Sequence, residues 1–309
     1  MLSDRPFECP PALLEKANET PPTVMAVAGA DSRVALESAR RATEAALITP
    51  CLIGDQDAIA ARAREIGWDI SGLRIEAAED GHKAAERAVA LARGGEVEAI
   101  MKGHVHTSEL MRAVVNRESG LRTERRISHV FHMSLPGRAG SLSITDAAVN
   151  VAPDIPTQLD LLRNALDLQH ALGNTAPKVA VLSATEKPID AMPSSHQAKE
   201  VVERARDEID GVVIDGPLAL DVAVSPEAVA IKGIDSPVAG EADLLLVPNI
   251  ETGNALFKSM VCYMSATAAG LVLGARVPIV LTSRADPPEA RLAATALAAI
   301  VAAAEARAT

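Results

Sequence analysis

The side chains best suited to chemistry stand at the end of an apolar run, Val277 to Leu281, where Thr282-Ser283-Arg284 follows. A guanidinium grips a phosphoryl or carboxylate oxygen through two parallel hydrogen bonds, and a neighbouring hydroxyl can donate to an oxygen as negative charge develops on it. On position alone an ordinary polar loop is an equal reading of Ser283 and Arg284. Asp286, two residues on, has the chemistry of a general base. Asp286-Pro287-Pro288-Glu289 also reads as a helix start, an acidic cap followed by two prolines and a glutamate, and the cap is the stronger reading.

Three further stretches carry charge or glycine at a strand end. Lys102-Gly103, with Thr107 and Ser108 after it, follows the apolar Ala99 to Met101. Backbone N–H groups at a helix start and one lysine can cradle a phosphate there, although the Walker spacing is absent. Gly29-Ala30-Asp31 is not the glycine fingerprint of a dinucleotide site. Leu244 to Lys258, LLLVPNIETGNALFK, predicts a buried strand, a turn at Gly253-Asn254 and a helix from near Ala255 that carries Lys258. Strand ends that open into glycine turns before helices are where α/β proteins place ligands.

Other polar clusters read as structure. His104 and His106 have the spacing of same-face strand residues, and His129 and His132 follow, but no HExxH-like pattern or adjacent carboxylate completes a metal set. A polar loop is the preferred reading, and no metal is expected. Arg122, Arg125 and Arg126 read as a solvated face lying just before a strand, with contact to an anionic cofactor as the alternative.

The net charge of -11 argues against a nucleic-acid partner, so any anionic ligand must be met by local Arg or Lys. Cys9, Cys51 and Cys262 are too few and too scattered for a disulfide framework or zinc site, which favours a reducing cytoplasm. The N-terminal MLSDRPFECPP lacks the basic end and apolar run of a signal peptide. Leu292 to Ala304 is too short and alanine-rich to cross a bilayer and reads as a packed terminal helix, so no membrane partner is expected.

The elements that must position these residues repeat as strand, glycine turn and capped helix from Val24 onward. Such units at this spacing predict a mostly parallel sheet covered on both faces. Ser32 or Asp31 is expected to cap the first helix, and Thr157 one that follows the Pro153/Pro156 loop. The texture changes at SLPGRAG, Ser134 to Gly140, and we place a domain boundary there. The expected division is residues 1–134 with 285–309, and residues 135–284, the C-terminal helix packing back on the first domain.

Five stretches together resemble the phosphate acetyl/butyryl transferase family: KGHVHTSEL, GLRTERRISHVF, IDGPLALDVAVSPEA, KGIDSPVAGEADLLLVPNIETGNALFKSM and LTSRAD. The resemblance implies two α/β/α domains with a cleft between them, on the isocitrate/isopropylmalate dehydrogenase fold, commonly as a homodimer. It implies an acyl-CoA reacting with phosphate to give acyl phosphate and CoA, with coenzyme A a substrate and neither cofactor nor metal needed. Ser283 and Arg284 match the family's catalytic pair, and Gly253, Asn254 and Lys258 match its GN and lysine positions. Arg112 approximately matches an arginine of substrate binding, and with Lys102, Gly103 and Thr107 completes the expected substrate-binding set. The acetyl branch has an acid seven residues after the serine, where this chain has Ala290, which leaves Asp286 and Glu289 as neighbouring bases. Two other readings compete: a metal-dependent NAD(P) dehydrogenase of the same fold, and a CoA- or phosphate-binding protein without catalysis.

Overall fold

The computed structural model describes residues 3–137, 140–282 and 285–308. The chain has a mixed α/β fold and divides into two compact units, residues 7–125 with 269–309, and residues 1–6 with 126–268.

The first unit begins with α1 (Pro11–Ala17), then β1 (Thr23–Ala28), α2 (Arg33–Glu44), β2 (Ile48–Gly54) and α3 (Gln56–Glu65). It continues through β3 (Arg74–Ala77), α4 (Gly81–Arg93), β4 (Ala99–Lys102) and α5 (Thr107–Val114). The strands lie in the order β3-β2-β1-β4, all parallel. Three of these helices, α2, α3 and α4, start where a short acceptor meets orphan amides: Ser32 accepts from Ala35 N, Asp55 from Ala58 N and Asp80 from Lys83 N. α2 buries Ala35, Leu36, Ala39 and Ala42, a stripe at helical spacing whose small residues let it lie close to the sheet. The proline-rich lead-in forms the short helix α1, because first-turn N–H groups have no acceptor within the helix and proline, lacking one, loses nothing there. Trp68, the chain's one tryptophan, is half-buried between α3 and β3, its backbone N–H donating to the Ala63 carbonyl at 2.9 Å.

The second unit holds β5 (Ser128–Ser134), β6 (Ser141–Thr145), α6 (Ile155–Ala171), β7 (Lys178–Leu182) and α7 (Pro193–Glu208). After them come β8 (Val213–Leu218), α8 (Leu220–Val224), α9 (Pro226–Lys232), β9 (Leu244–Leu246) and α10 (Ile250–Met264). Here the order is β5-β6-β9-β7-β8, with β5 antiparallel to β6 and the rest parallel. α6 is capped by Asp154, whose carboxylate accepts from Thr157 N at 3.0 Å, and not by the expected Thr157. Pro156 fits inside the first turn, so the helix starts before the threonine.

β10 (Thr267–Leu273) leads to β11 (Ile279–Val280) and α11 (Pro288–Ala308). β11 runs antiparallel to β10 and parallel to β4, which sets Thr282 just beyond the sheet near the end of β4. Among the described residues no helix is long and apolar enough to cross a membrane.

Candidate active site

The first unit's site grows out of two adjoining strand ends. β1 and β4 are parallel neighbours, and past them Gly103 N donates to Ala28 O at 2.8 Å and His104 N to Gly29 O at 2.7 Å. The backbones touch: a Cβ on Gly29, which has φ +74°, would sit 2.8 Å from the His104 carbonyl carbon. A Cβ on Gly103 would meet Ala28 O at 2.8 Å. Glycine at both positions is therefore a packing requirement, and it turns the chain so that Lys102 ends β4 with 9% exposure. The Lys102 ammonium reaches the carbonyls of Gly103 at 3.4 Å and Val105 at 3.5 Å.

Beside these glycines is a cavity of about 160 Å³. Lys102, Gly103, Thr282, Ser32, Ser38 and Arg291 are among its lining residues. Ser283 and Arg284 follow Thr282 and lie outside the described residues. Asp286 is close in sequence, and its carbonyl accepts a 2.7 Å bond from Arg291 Nη1. The cap expected at Asp286 falls one residue later: Pro287 O accepts from Arg291 N at 3.2 Å, and α11 begins at Pro288. Ala290 is 3% exposed, so a methyl fills the place where the resemblance would put an acid.

Thr107 and Arg112 do not line this cavity. Thr107 opens α5 and Arg112 is in its last turn, both exposed. His106 caps α5, its N–H donating to Glu109 Oε2 at 3.2 Å, and His104 Nδ1 stands 3.4 Å from Asp31 Oδ1. His129 and His132, by contrast, are not loop residues but lie on β5 with 1% and 6% exposure. Among the described residues no three His, Cys, Asp or Glu side chains gather as metal ligands.

In the second unit the expected Gly253-Asn254 turn is helix. α10 starts at Ile250, with Asn249 Oδ1 accepting from Thr252 N at 2.9 Å, so Gly253 and Asn254 belong to its early turns. Gly253 is needed for contact instead of for a turn: a Cβ there would lie 2.8 Å from both Ala147 Cβ and Asp146 O. Asn254 Nδ2 donates to Ala147 O at 3.2 Å. Lys258 is exposed further along the helix, with Nζ 6.0 Å from the centroid of the Phe257 ring, which stacks on Phe131.

Sequence reasoning missed the loop these residues touch. Asp146, 1% exposed at the end of β6, accepts from the backbone N–H groups of Ala148 at 2.8 Å, Val149 at 3.0 Å and Asn150 at 3.3 Å. Asn150 Nδ2 adds a 2.7 Å bond and His129 N one of 3.1 Å. A buried carboxylate is tolerable only with this many donors. The available signal was an acid at a strand end with an asparagine four residues later. The structure thus brings Lys102, Gly103 and Thr282 to one cavity in the first unit, while Gly253, Asn254 and Lys258 stand on α10 of the second.

Comparison with known proteins defines the class. Residues 72–299 match the family model described as "Phosphate acetyl/butaryl transferase". The phosphate acetyltransferase of Rhizobium meliloti is 47% identical over 292 residues, 94% of this chain and 92% of that protein. The phosphate butyryltransferase of Clostridium acetobutylicum is 39% identical over 90% of this chain and 93% of its own. A crystal structure of a branched-chain phosphotransacylase from Enterococcus faecalis V583 superposes with a TM-score of 0.79 at 31% identity, covering 90% of this chain and 99% of that one. The protein is an acyltransferase enzyme. It belongs to the phosphate acetyl/butyryl transferase family.

Proposed function

We propose that this phosphate acyltransferase moves a short acyl group, acetyl or butyryl, reversibly between coenzyme A and inorganic phosphate by direct attack within a ternary complex. The observation that carries this reading is the buried Lys102 ammonium at a strand end, beside a cavity that Thr282 joins just ahead of Ser283 and Arg284. In the direction of acyl-CoA formation, a carboxylate takes the CoA thiol proton. Asp286 is the candidate, with Ala290 buried and uncharged. The thiolate attacks the acyl phosphate carbonyl carbon, Ser283 donates to the tetrahedral oxyanion, and the C–O bond to phosphate then breaks. Arg284 and Lys102 balance the departing phosphate charge. A thiol is only a few per cent ionised near pH 7, which is why a base is needed.

Thr107 and Arg112 on α5, with Gly103 at the strand end, are assigned to substrate binding. Gly253, Asn254 and Lys258 on α10 are assigned to the acyl or phosphate group. Coenzyme A is a substrate in this scheme, and the reaction asks for no cofactor or metal. We propose further that the two units are domains of the isocitrate/isopropylmalate dehydrogenase kind, and that the chain works in the cytoplasm as a homodimer.

The test is a panel of acyl-CoAs, acetyl to branched five-carbon, assayed with phosphate for release of free thiol. Turnover should favour two to four carbons and fall roughly a hundredfold or more in Ser283→Ala. Wild-type rates in both Ser283→Ala and Arg284→Ala would sink the mechanism. Each methylene is expected to discriminate by no more than about 1–3 kcal/mol.

A further inference from the structure

We infer that the cavity at the ends of β4 and β11 is an oxyanion subsite for inorganic phosphate, and that Arg291 is its second cationic ligand. The inference rests on the acyltransferase reading above and adds to it a residue that lies outside the LTSRAD stretch. Arg291 occupies the first turn of α11 and lines the same cavity as Lys102, Thr282, Ser32 and Ser38.

How Arg291 spends its donors is the main argument. Nη1 is committed to the Asp286 carbonyl at 2.7 Å. Nε is buried without a hydrogen-bond partner among the described residues, and the carboxylates of Asp286, Glu289 and Glu37 act on the guanidinium through space. The nearest acid on its own helix, Glu289, is tied to Arg41 at 3.3 Å. The Nε/Nη2 edge is the fork that matches two oxygens of a phosphate, and an N–H left unsatisfied in the interior is costly enough to ask for an acceptor. Burial works against the charged guanidinium and pulls its pKa down, which an anion beside it would oppose.

The surroundings select the ligand by charge and size. No Asp or Glu lines the cavity, whereas two cations and three hydroxyl side chains do. Asp31, next in sequence to the lining Ser32, stands 3.4 Å from Nδ1 of His104, itself a lining residue. Ser32 Oγ accepts from Ala35 N at 3.2 Å, which leaves its own proton to donate. At about 160 Å³ the space is smaller than the roughly 300–1,000 Å³ typical of sites for drug-sized ligands.

Steady-state kinetics in the phosphate-consuming direction test this. Arg291→Gln should raise the KM for phosphate tenfold or more and leave the KM for acyl-CoA within twofold, and Arg291→Lys should recover part of the loss. A residue that merely held the Asp286 turn would lower kcat or Tm without that split. Independently of turnover, inorganic phosphate without CoA should raise the Tm of the wild type above that in chloride of equal ionic strength, and the rise should vanish in Arg291→Gln. A phosphate KM within twofold of wild type in Arg291→Gln overturns the assignment, as does a wild-type Tm indifferent to phosphate. A wild type inactive on every acyl-CoA would instead overturn the acyltransferase reading, while the melting comparison would still judge the subsite.

Discussion

His132 illustrates how single side chains in the second unit tolerate burial. Its Nδ1 lies 3.0 Å from Ser143 Oγ, which also accepts from Gln169 Nε2 at 2.8 Å. The hydroxyl has a second lone pair and one proton, so it can either donate to Nδ1 or accept from it, and either arrangement satisfies a neutral imidazole. Burial pushes its pKa down from 6.5 to about 4. The unfolded chain therefore binds the proton more readily. The stability His132 contributes is complete above about pH 6.5 and is lost as pH falls toward 4, about 3 kcal/mol in all. His132→Asn should flatten the dependence of urea-unfolding free energy on pH between 7 and 5, whatever it does to stability at pH 7. An unchanged slope would mean that other groups carry it.

At the level of elements, α10 shows which information is local and which is not. The βα units of the first unit are legible because apolar runs, glycine ends and caps such as Ser32 act within a few residues of chain. Gly253-Asn254 misleads for the same reason: glycine is the commonest local breaker, yet here it is the residue that lets a helix lie against Asp146 and Ala147, more than a hundred positions earlier. Gly103 was legible as a strand-end glycine, but its reason, the backbone of residues 28 and 29, was not. The Asp146 loop went unread because its one signal in ITDAAVN, an acid at a strand end with an asparagine four residues on, does not say that three successive amides turn toward that carboxylate. Gly253→Ala should accordingly cost about 1–3 kcal/mol through overpacking and lower kcat, read by thermal melting and thiol release. Retention of both wild-type Tm and wild-type kcat would mean that the loop yields freely.

For the molecule as a whole, a charge of -11 repels an anionic substrate at long range, so local cations must offset it at the site. Aromatics are 2% of the chain, yet its single tyrosine is exposed: Tyr263 is 62% and Met264 51% accessible at the end of α10. Both line an apolar cavity of about 560 Å³ in the second unit with Leu220, Leu256 and Met260. Exposed Tyr and Met beside an apolar recess have the composition of an interface core. If this face joins two copies, sedimentation will give twice 32.2 kDa, and Tyr263→Arg will give the monomer mass. A wild-type monomer at micromolar concentration would remove the homodimer from the proposal.

The lone tryptophan has a use of its own. Because Trp68 belongs to the first unit, its emission reports the melting of that unit alone, while far-ultraviolet circular dichroism averages over helices of both. Coincident denaturation curves from the two signals would mean that the units unfold as one cooperative body. Separated curves would assign each transition to its unit without adding a probe.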